Sequence, residues 1–509
     1  MAVSPSLQGS SPHPEDDGPA ILDPDEVDEE ILGDGEDAGM DSGDGDGDGD
    51  GDEDGGDDEP MEVDLINDSS VYFDQHTDSI YCLSQHRHFP CKVILTGGGD
   101  DVAYIWEVPS ASEVRPAEAK VLQKLGGHTD SIVAGGWTHD GNTLITAGLD
   151  GRVRSWRQKL PGRTGVKVNG WEWASEVQEV EEVQWVDFHP GENVFALGAG
   201  DGSVWVYEVE GSGELVLRHA MYNHTGSCTA GQWTPDGGLL VTVSEDGSLY
   251  AWDVNEGGRA VVSLTGDDQR WFVDGGWVSV AVNWDSSAAV AGSAGGVCKV
   301  VGLPRTTTAT TTNIIPAPSR GRGGRGAGTA GGSQAGQILA TMATHTQSVE
   351  SLSFSRSLPL LASSSVDGSI VIYDTSRAYS VRRTIPHAHP NPRFSPSQQP
   401  PTSTSTSTST PAEPIEDNGE NTVVKVEFIN STHPPTGIIL TSCGVDGTVK
   451  RWDGRSGAEL GCWRGHADGV LGFVQAERRI VTAGDDHVAL VFDVQPQATA
   501  AVMAPGQGR

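Results

Sequence analysis

Seven times along the chain an aspartate stands six residues before an aromatic side chain, and this recurrence limits the possible folds more than any other feature. The pairs are Asp100 and Trp106, Asp150 and Trp156, Asp201 and Tyr207, Asp246 and Trp252, Asp367 and Tyr373, Asp446 and Trp452, and Asp486 and Phe492. Each ends a stretch of short apolar runs broken by tight Gly/Asp turns, as in THDGNTLITAGLDGRVRSW. A weaker eighth copy, AGSAGGVCKV, ends at Val300 with Ala294 in the aspartate slot. Long helical periodicity is absent, and short strands separated by turn residues point to an all-β array. Successive copies end 50, 51, 45, 48, 73, 79 and 40 residues apart.

A period of roughly 40–50 residues closing on Trp-Asp resembles the WD40 blade, so the expected fold is an all-β, eight-bladed WD40 β-propeller. The resemblance implies one buried polar cluster per blade: a histidine in the leading loop, a Ser or Thr on the second strand, the turn aspartate and the terminal Trp. Complete sets are His76, Thr96, Asp100 and Trp106; His128, Thr146, Asp150 and Trp156; and His224, Thr242, Asp246 and Trp252. Such a network is favourable only when every member is satisfied. Blade six substitutes Tyr373 and blade eight Phe492, and blades three and five lack the histidine, so these four are expected to be held mainly by apolar packing. A Ser-His-Asp hydrolase would use similar residues, but the same trio repeated around a ring reads as scaffold. The strand Val71-Tyr72-Phe73 precedes the first histidine and has no earlier blade to own it. It should complete blade eight and remove its exposed edge.

Charge divides the chain. The formal net charge is −40, and residues 1–86 hold 28 carboxylates with no Lys or Arg before Arg87. Residues 1–68 run into Asp/Gly repeats with almost nothing to bury, so they are expected to form a disordered acidic tail. Within them Asp44–Gly49 imitates the start of an EF-hand loop, but Gly55 stands where the twelfth-position Glu belongs, and no metal site is expected. The propeller should occupy 69–495, with flexible insertions at about 304–336 and 378–418 and a flexible tail at 496–509. The first insertion carries Arg320, Arg322 and Arg325 in SRGRGGRG, an RGG-like run whose three charges offer RNA little counterion release. A field this negative argues against direct nucleic-acid binding and for a basic protein partner. No apolar run reaches membrane-span length, the N-terminus shows no secretory leader, and six cysteines without a CxxC pair suit a reducing compartment. The expected location is the cytoplasm, with the nucleus second, and the expected state is monomeric. No cofactor and no enzymatic activity are expected: no metal-ligand spacing, phosphate-cradling loop or distinguished nucleophile is present.

Three segments narrow the resemblance. HTDSIYCLSQHRHFPCKVILTGGGDDVAYIWEV, SVESLSFSRSLPLLASSSVDGSIVIYD and GHADGVLGFV with IVTAGDDHVALVFDV resemble the branch of WD40 proteins that joins the angio-associated migratory cell protein to the fungal chaperone of a large-subunit ribosomal protein. The resemblance spans nearly all of residues 62–494. It implies a chaperone that captures a newly made, basic large-subunit ribosomal protein and delivers it for ribosome assembly. In WD40 proteins the leading loops and the turns after the second strands open on one face. Aligning them places acids at Asp78, Asp130, Glu181 and Asp468 in leading loops, and at Glu245 and Asp485 just before turn aspartates. These six are the candidate partner-binding residues, a negative funnel for Arg and Lys side chains. Two other readings stay open. Trp452-Asp453-Gly454-Arg455 has the WDxR form that substrate receptors of cullin-type ubiquitin ligases present, and a general signalling scaffold would bind several unrelated partners.

Overall fold

The computed structural model describes residues 66–109, 116–159, 170–305, 334–386, 388–390, 421–429, 438–476 and 478–494. The Asp44–Gly49 string, SRGRGGRG and the 496–509 tail lie outside them, as does the acidic segment up to residue 65. The remainder is an eight-bladed β-propeller. Seven blades are four-stranded antiparallel meanders and the eighth is completed from the other end of the chain. Blade one runs Ile80–Gln85, Val93–Gly98, Ala103–Glu107 and Lys120–Leu125, and the later blades begin at Ile132, Val183, Ala230, Trp277, Val349, Val423 and Val470. The first strands of consecutive blades touch in order, and that of blade eight touches that of blade one, so the ring closes on these strands.

Closure follows the chain phase. Val71–Phe73 pairs antiparallel with Ala489–Asp493, with Val71 opposite Val491 and Phe73 opposite Ala489. Phe73 also stacks on Trp106 of blade one, with ring centroids 5.0 Å apart and planes 7° from parallel. A fifth strand, invisible in the repeat, lies outside this seam: Ala117–Glu118 pairs parallel with Val71 and Tyr72. The edge of the closing strand is thus covered.

Second strands are buried along all or nearly all of their length, as in Thr143–Gly148 and Val194–Ala199, because both faces of each sheet meet neighbouring blades. Small and β-branched residues dominate there, which is what close packing between twisted sheets requires. All six cysteines are free and five are buried. Burial pushes the thiols of Cys82 and Cys228 up to about 12.

Two boundaries differ from the sequence reading. The range 378–418 contains the outer strand of blade six, Ser380–Ile385, and also His389, which opens blade seven. In blade five, Ala289 pairs with Val301 as Leu144 pairs with Trp156 in blade two. The aspartate slot is therefore Gly295 and the terminal slot Val301, one residue beyond Ala294 and Val300. With no aromatic to mark the strand end, two adjacent valines fit the pattern equally.

Candidate functional site

The polar clusters set the geometry of one face. In blade two, His128 Nδ1 donates to the Asp150 carboxylate at 3.1 Å, and Nε2 accepts from the Thr146 hydroxyl at 3.0 Å. Trp156 Nε1 donates to the same Thr146 oxygen at 3.1 Å. Asp150 further accepts from the backbone N–H groups of Thr129 and Arg152. One aspartate thus pins the leading loop to its own turn. Blade one repeats this with His76, Thr96, Asp100 and Trp106. Blade four does so with a relay: His224 Nδ1 donates to Ser248 Oγ at 2.5 Å, which in turn donates to Asp246. Its remaining links, His224 to Thr242 and Trp252 to Thr242, are both 2.8 Å.

The expectation of apolar closure fails for blades six and eight. His345 bonds Asp367 and Ser363, and the Tyr373 hydroxyl, 3.4 Å from Ser363 Oγ, also bonds Thr344. Tyrosine keeps a polar hydrogen, so it can serve where Trp is missing. His466 bonds Asp486 at 2.9 Å and Thr482 at 2.7 Å, so blade eight lacks only the contribution of Phe492. Blade seven has a full set, His389, Ser442, Asp446 and Trp452. Blades three and five alone lack the histidine, as expected; Phe195 stacks on Tyr207 in one and Trp271 packs on Trp277 in the other.

Four of these histidines, His76, His128, His224 and His389, are held neutral by their burial. Burial lowers the pKa of His76, His128 and His389 below the ordinary value and that of His224 to about 4, against the pull of their aspartates. A buried imidazole committed on both nitrogens has nothing left for chemistry. The hydrolase-like trios are therefore structural.

One backbone bond recurs at this end of all eight blades. The residue before the turn aspartate slot donates its N–H to the carbonyl of the residue immediately preceding the first strand or, in blade four, to that of Ser227, three residues before Ala230. Examples are Gly99 to Ser79, Leu149 to Ser131, Gly200 to Glu182, Glu245 to Ser227 and Asp485 to Gly469, at 2.9–3.2 Å. Glu245 and Asp485 are themselves donors in this set. Asp78, Asp130, Glu181 and Asp468 each lie one residue before an acceptor. All six candidate acids therefore occupy equivalent places on a single rim, and all six are exposed. The leading-loop acids sit on consecutive blades, eight, one, two and three.

Some are brought together. Ser79 N–H donates to Asp78 at 2.7 Å while its hydroxyl donates to the Asp485 carboxylate across the ring seam. Asp130 caps Ser131 in the same way, and Glu245 accepts from Ser227 N–H at 3.2 Å. Asp101 is a further acid on the rim that the repeat alignment passes over. It holds a left-handed φ of 61° where most blades place glycine. Its pKa is raised by partial burial and by the neighbouring charges of Asp130, Asp100 and Asp150. Its signal in sequence is the GDD turn that replaces the usual Asp-Gly. The described chain also starts beside this rim: Asp68 N–H donates to Arg464 O at 2.8 Å, and Arg464 N–H donates back to the Asp68 carboxylate.

The WDxR segment has a local explanation for two of its residues. Trp452 is spent on Ser442, and Asp453 accepts from Arg455 N–H and the Ser456 hydroxyl. Among the described residues no group of His, Cys, Asp and Glu could hold a metal ion, and no helix is long and apolar enough to cross a membrane.

Comparison with known proteins agrees with this architecture. The WD40 family model (WD domain, G-beta repeat) matches residues 68–107, 119–157, 215–253, 336–374 and 424–453. The crystal structure of Chaetomium thermophilum Sqt1 bound to the N-terminus of the ribosomal protein L10 is 37% identical, with a TM-score of 0.67, covering 84% of this chain and 100% of that one. The chain belongs to the WD40-repeat family that includes Sqt1. The ribosome assembly protein SQT1 of Saccharomyces cerevisiae is 28% identical over 86% of this chain and 89% of its own length. The human angio-associated migratory cell protein is 26% identical over 84% and 81% respectively. The blades that the family model leaves unmatched include three and five, the two without a histidine network.

Proposed function

We propose that this protein is a non-enzymatic chaperone that captures a newly made, basic large-subunit ribosomal protein in the cytoplasm, acting as a monomer. The observation that carries the reading is the likeness to C. thermophilum Sqt1, solved with the N-terminus of L10 bound. The rim gives that likeness a physical basis here. Asp78, Asp130, Glu181, Glu245, Asp468 and Asp485, with Asp101, concentrate negative potential on one face, which steers and holds Arg and Lys side chains. The acidic residues before Arg87 would add counter-charge that speeds encounter.

Affinity capture of the full chain followed by mass spectrometry should return one basic ribosomal protein. Recovery of ligase adaptor subunits instead would replace this reading with the ubiquitin-ligase one. Asp130→Lys combined with Asp468→Lys should abolish capture with the melting midpoint unchanged, since each charge pair buried under the bound client and left unmatched costs about 2–5 kcal/mol. Removing residues 1–60 should mainly lower the association rate and flatten its salt dependence. Capture that ignores salt and survives the double variant would exclude a charge-based site.

A further inference from the structure

The face opposite the acidic rim is built from the ends of the first strands and the beginnings of the second. On blade one these are joined by residues 86–92, HRHFPCK, and here the charge pattern of the chain reverses. Arg87, His88 and Lys92 are exposed, and so is His139 on the corresponding loop of blade two. The Arg87 guanidinium reaches the His139 ring and the His189 carbonyl, both at 3.5 Å. Among the described residues no carboxylate forms an ion pair with it, and Asp187 pulls on it only at longer range. The carboxylates nearby are committed. Asp140 accepts from the Thr138 hydroxyl and the Asn142 N–H of its own turn, and Glu107 pairs with Lys92 at 3.5 Å. In a chain of net charge −40, an exposed arginine left without a carboxylate is a place for an external one.

The same loop walls a cavity of about 230 Å³ between blades one and two, whose lining includes His86, Phe89, Lys92, Glu107, Leu122 and Trp171. Apolar cavities of about 150 Å³ take a benzene ring, whereas drug-sized ligands need about 300 Å³ or more. One aromatic side chain therefore fits here. Trp137 packs against both His86 and Trp171, with ring centroids 5.2 and 6.3 Å away, and its buried indole N–H has no acceptor among the described residues. Native folds leave few buried donors unpaired, and one beside a cavity favours an occupant that brings an acceptor. Phe89 is 52% exposed on a loop that is firmly held. His86 Nε2 donates to Gly141 O at 3.1 Å, His88 Nε2 donates to Asp140 O at 3.2 Å, and Lys92 N–H donates to Phe89 O at 3.1 Å. An aromatic ring presented this way needs little ordering when a partner covers it.

We propose that this face of blades one and two is a second docking site. Its occupant is an acidic segment of a partner protein that inserts one aromatic side chain into the cavity and sets carboxylates against Arg87 and Lys92. The size and lining of the cavity assign the aromatic anchor, and the unpaired Arg87 assigns the negative charge. The rim takes no part, so the site stands or falls independently of the chaperone reading.

Anisotropy of a short labelled peptide, one tryptophan among glutamates, tests this with the full-length protein at physiological salt. The net charge of −40 opposes diffuse uptake of such a peptide, so saturable binding reports a local site. Replacing its tryptophan by serine should weaken binding about tenfold or more. Phe89→Ser should shrink the difference between the two peptides, and Arg87→Glu should weaken the tryptophan peptide about tenfold. Both side chains are exposed, so melting midpoints should match the parent. Asp130→Lys with Asp468→Lys should not weaken this peptide. Absence of saturable binding, equal binding of the two peptides, or indifference to both Phe89→Ser and Arg87→Glu overturns the site. Binding lost in the rim double variant would move the peptide to the rim and overturn it as well. A parent that is dimeric by light scattering and monomeric after Phe89→Ser would give the face to a second copy, which also overturns the peptide assignment.

Discussion

Blades two and five are built on the same four-stranded sheet and fasten their leading loops by opposite means. In blade two the loop is tied to its own turn by His128 and Asp150, and to the third strand by Thr146 and Trp156. In blade five the matching slots hold Ala291, Gly295 and Val301, which offer no side-chain polar group. Two indoles, Trp271 in the leading loop and Trp277 at the start of the first strand, instead donate to the Gly247 carbonyl of blade four's turn, both at 2.9 Å. From the third strand, Lys299 Nζ donates to the Arg270 and Phe272 carbonyls of that loop at 2.8 Å. What a blade needs is a link from loop to turn and from loop to third strand. The histidine network is one way of making it, and large buried aromatics with one long cation are another.

The two solutions should fail differently. Trp277→Ala opens a cavity beside Trp271, whose ring lies 4.5 Å away, at a site with no accessible surface. It should cost about 3–5 kcal/mol, the largest single effect in either blade, read as a drop in the urea midpoint at constant slope. A loss below that of Asp150→Ala in blade two would mean blade five is not held by its indoles.

Asp150→Ala removes the acceptor of the buried His128 Nδ1, of the half-buried Arg152 N–H and of the exposed Thr129 N–H. That should cost about 1–3 kcal/mol in the same measurement. The reciprocal change, Gly295→Asp, restores the missing aspartate at its true register position, where the backbone is not left-handed. It should gain nothing, because blade five has no leading-loop histidine to receive it. A stabilising Gly295→Asp would show that the aspartate acts through its turn alone and that the contrast between the blades is overdrawn.

The same contrast marks what could be read in the residues beforehand. The blade count, the closing strand and the three complete tetrads were legible because an Asp, a Thr and a Trp at fixed spacing leave few alternatives. Blade five slipped by one residue because Val300 and Val301 are equivalent without an aromatic. His389 was hidden because 53 residues separate it from Ser442, so no spacing rule reaches it. Blade six was underrated because Tyr373 can still bond through its hydroxyl. On the candidate face, the acids were visible as loop residues, but the meeting of Asp78 and Asp485 at Ser79 crosses the ring seam and depends on closure.

Acid should separate the two kinds of blade by the smallest margin, and with a definite sign. Burial holds His224 at about 4, while an unfolded histidine titrates near 6.5. As pH falls below about 6.5 the unfolded chain takes up a proton that the folded blade refuses, so this stability is full above that pH and declines toward pH 4. For His224 alone the loss is on the order of 1 kcal/mol by about pH 5.8. Asp246 does not contribute in that interval. Burial would raise its pKa, but hydrogen bonds from Ser248 and Thr225 outweigh burial and bring it down to about 2, so its share is lost only as pH falls from about 3.8 toward that value. His224→Gln should therefore lower the midpoint at pH 7 but remove part of the fall between pH 7 and 5.8. A blade-five variant such as Gly295→Ala should leave that fall untouched, because no histidine there titrates. Equal falls in the parent and in His224→Gln would mean the imidazole is not held neutral by the fold. The distinction between a polar blade and an apolar one would then lie in packing alone.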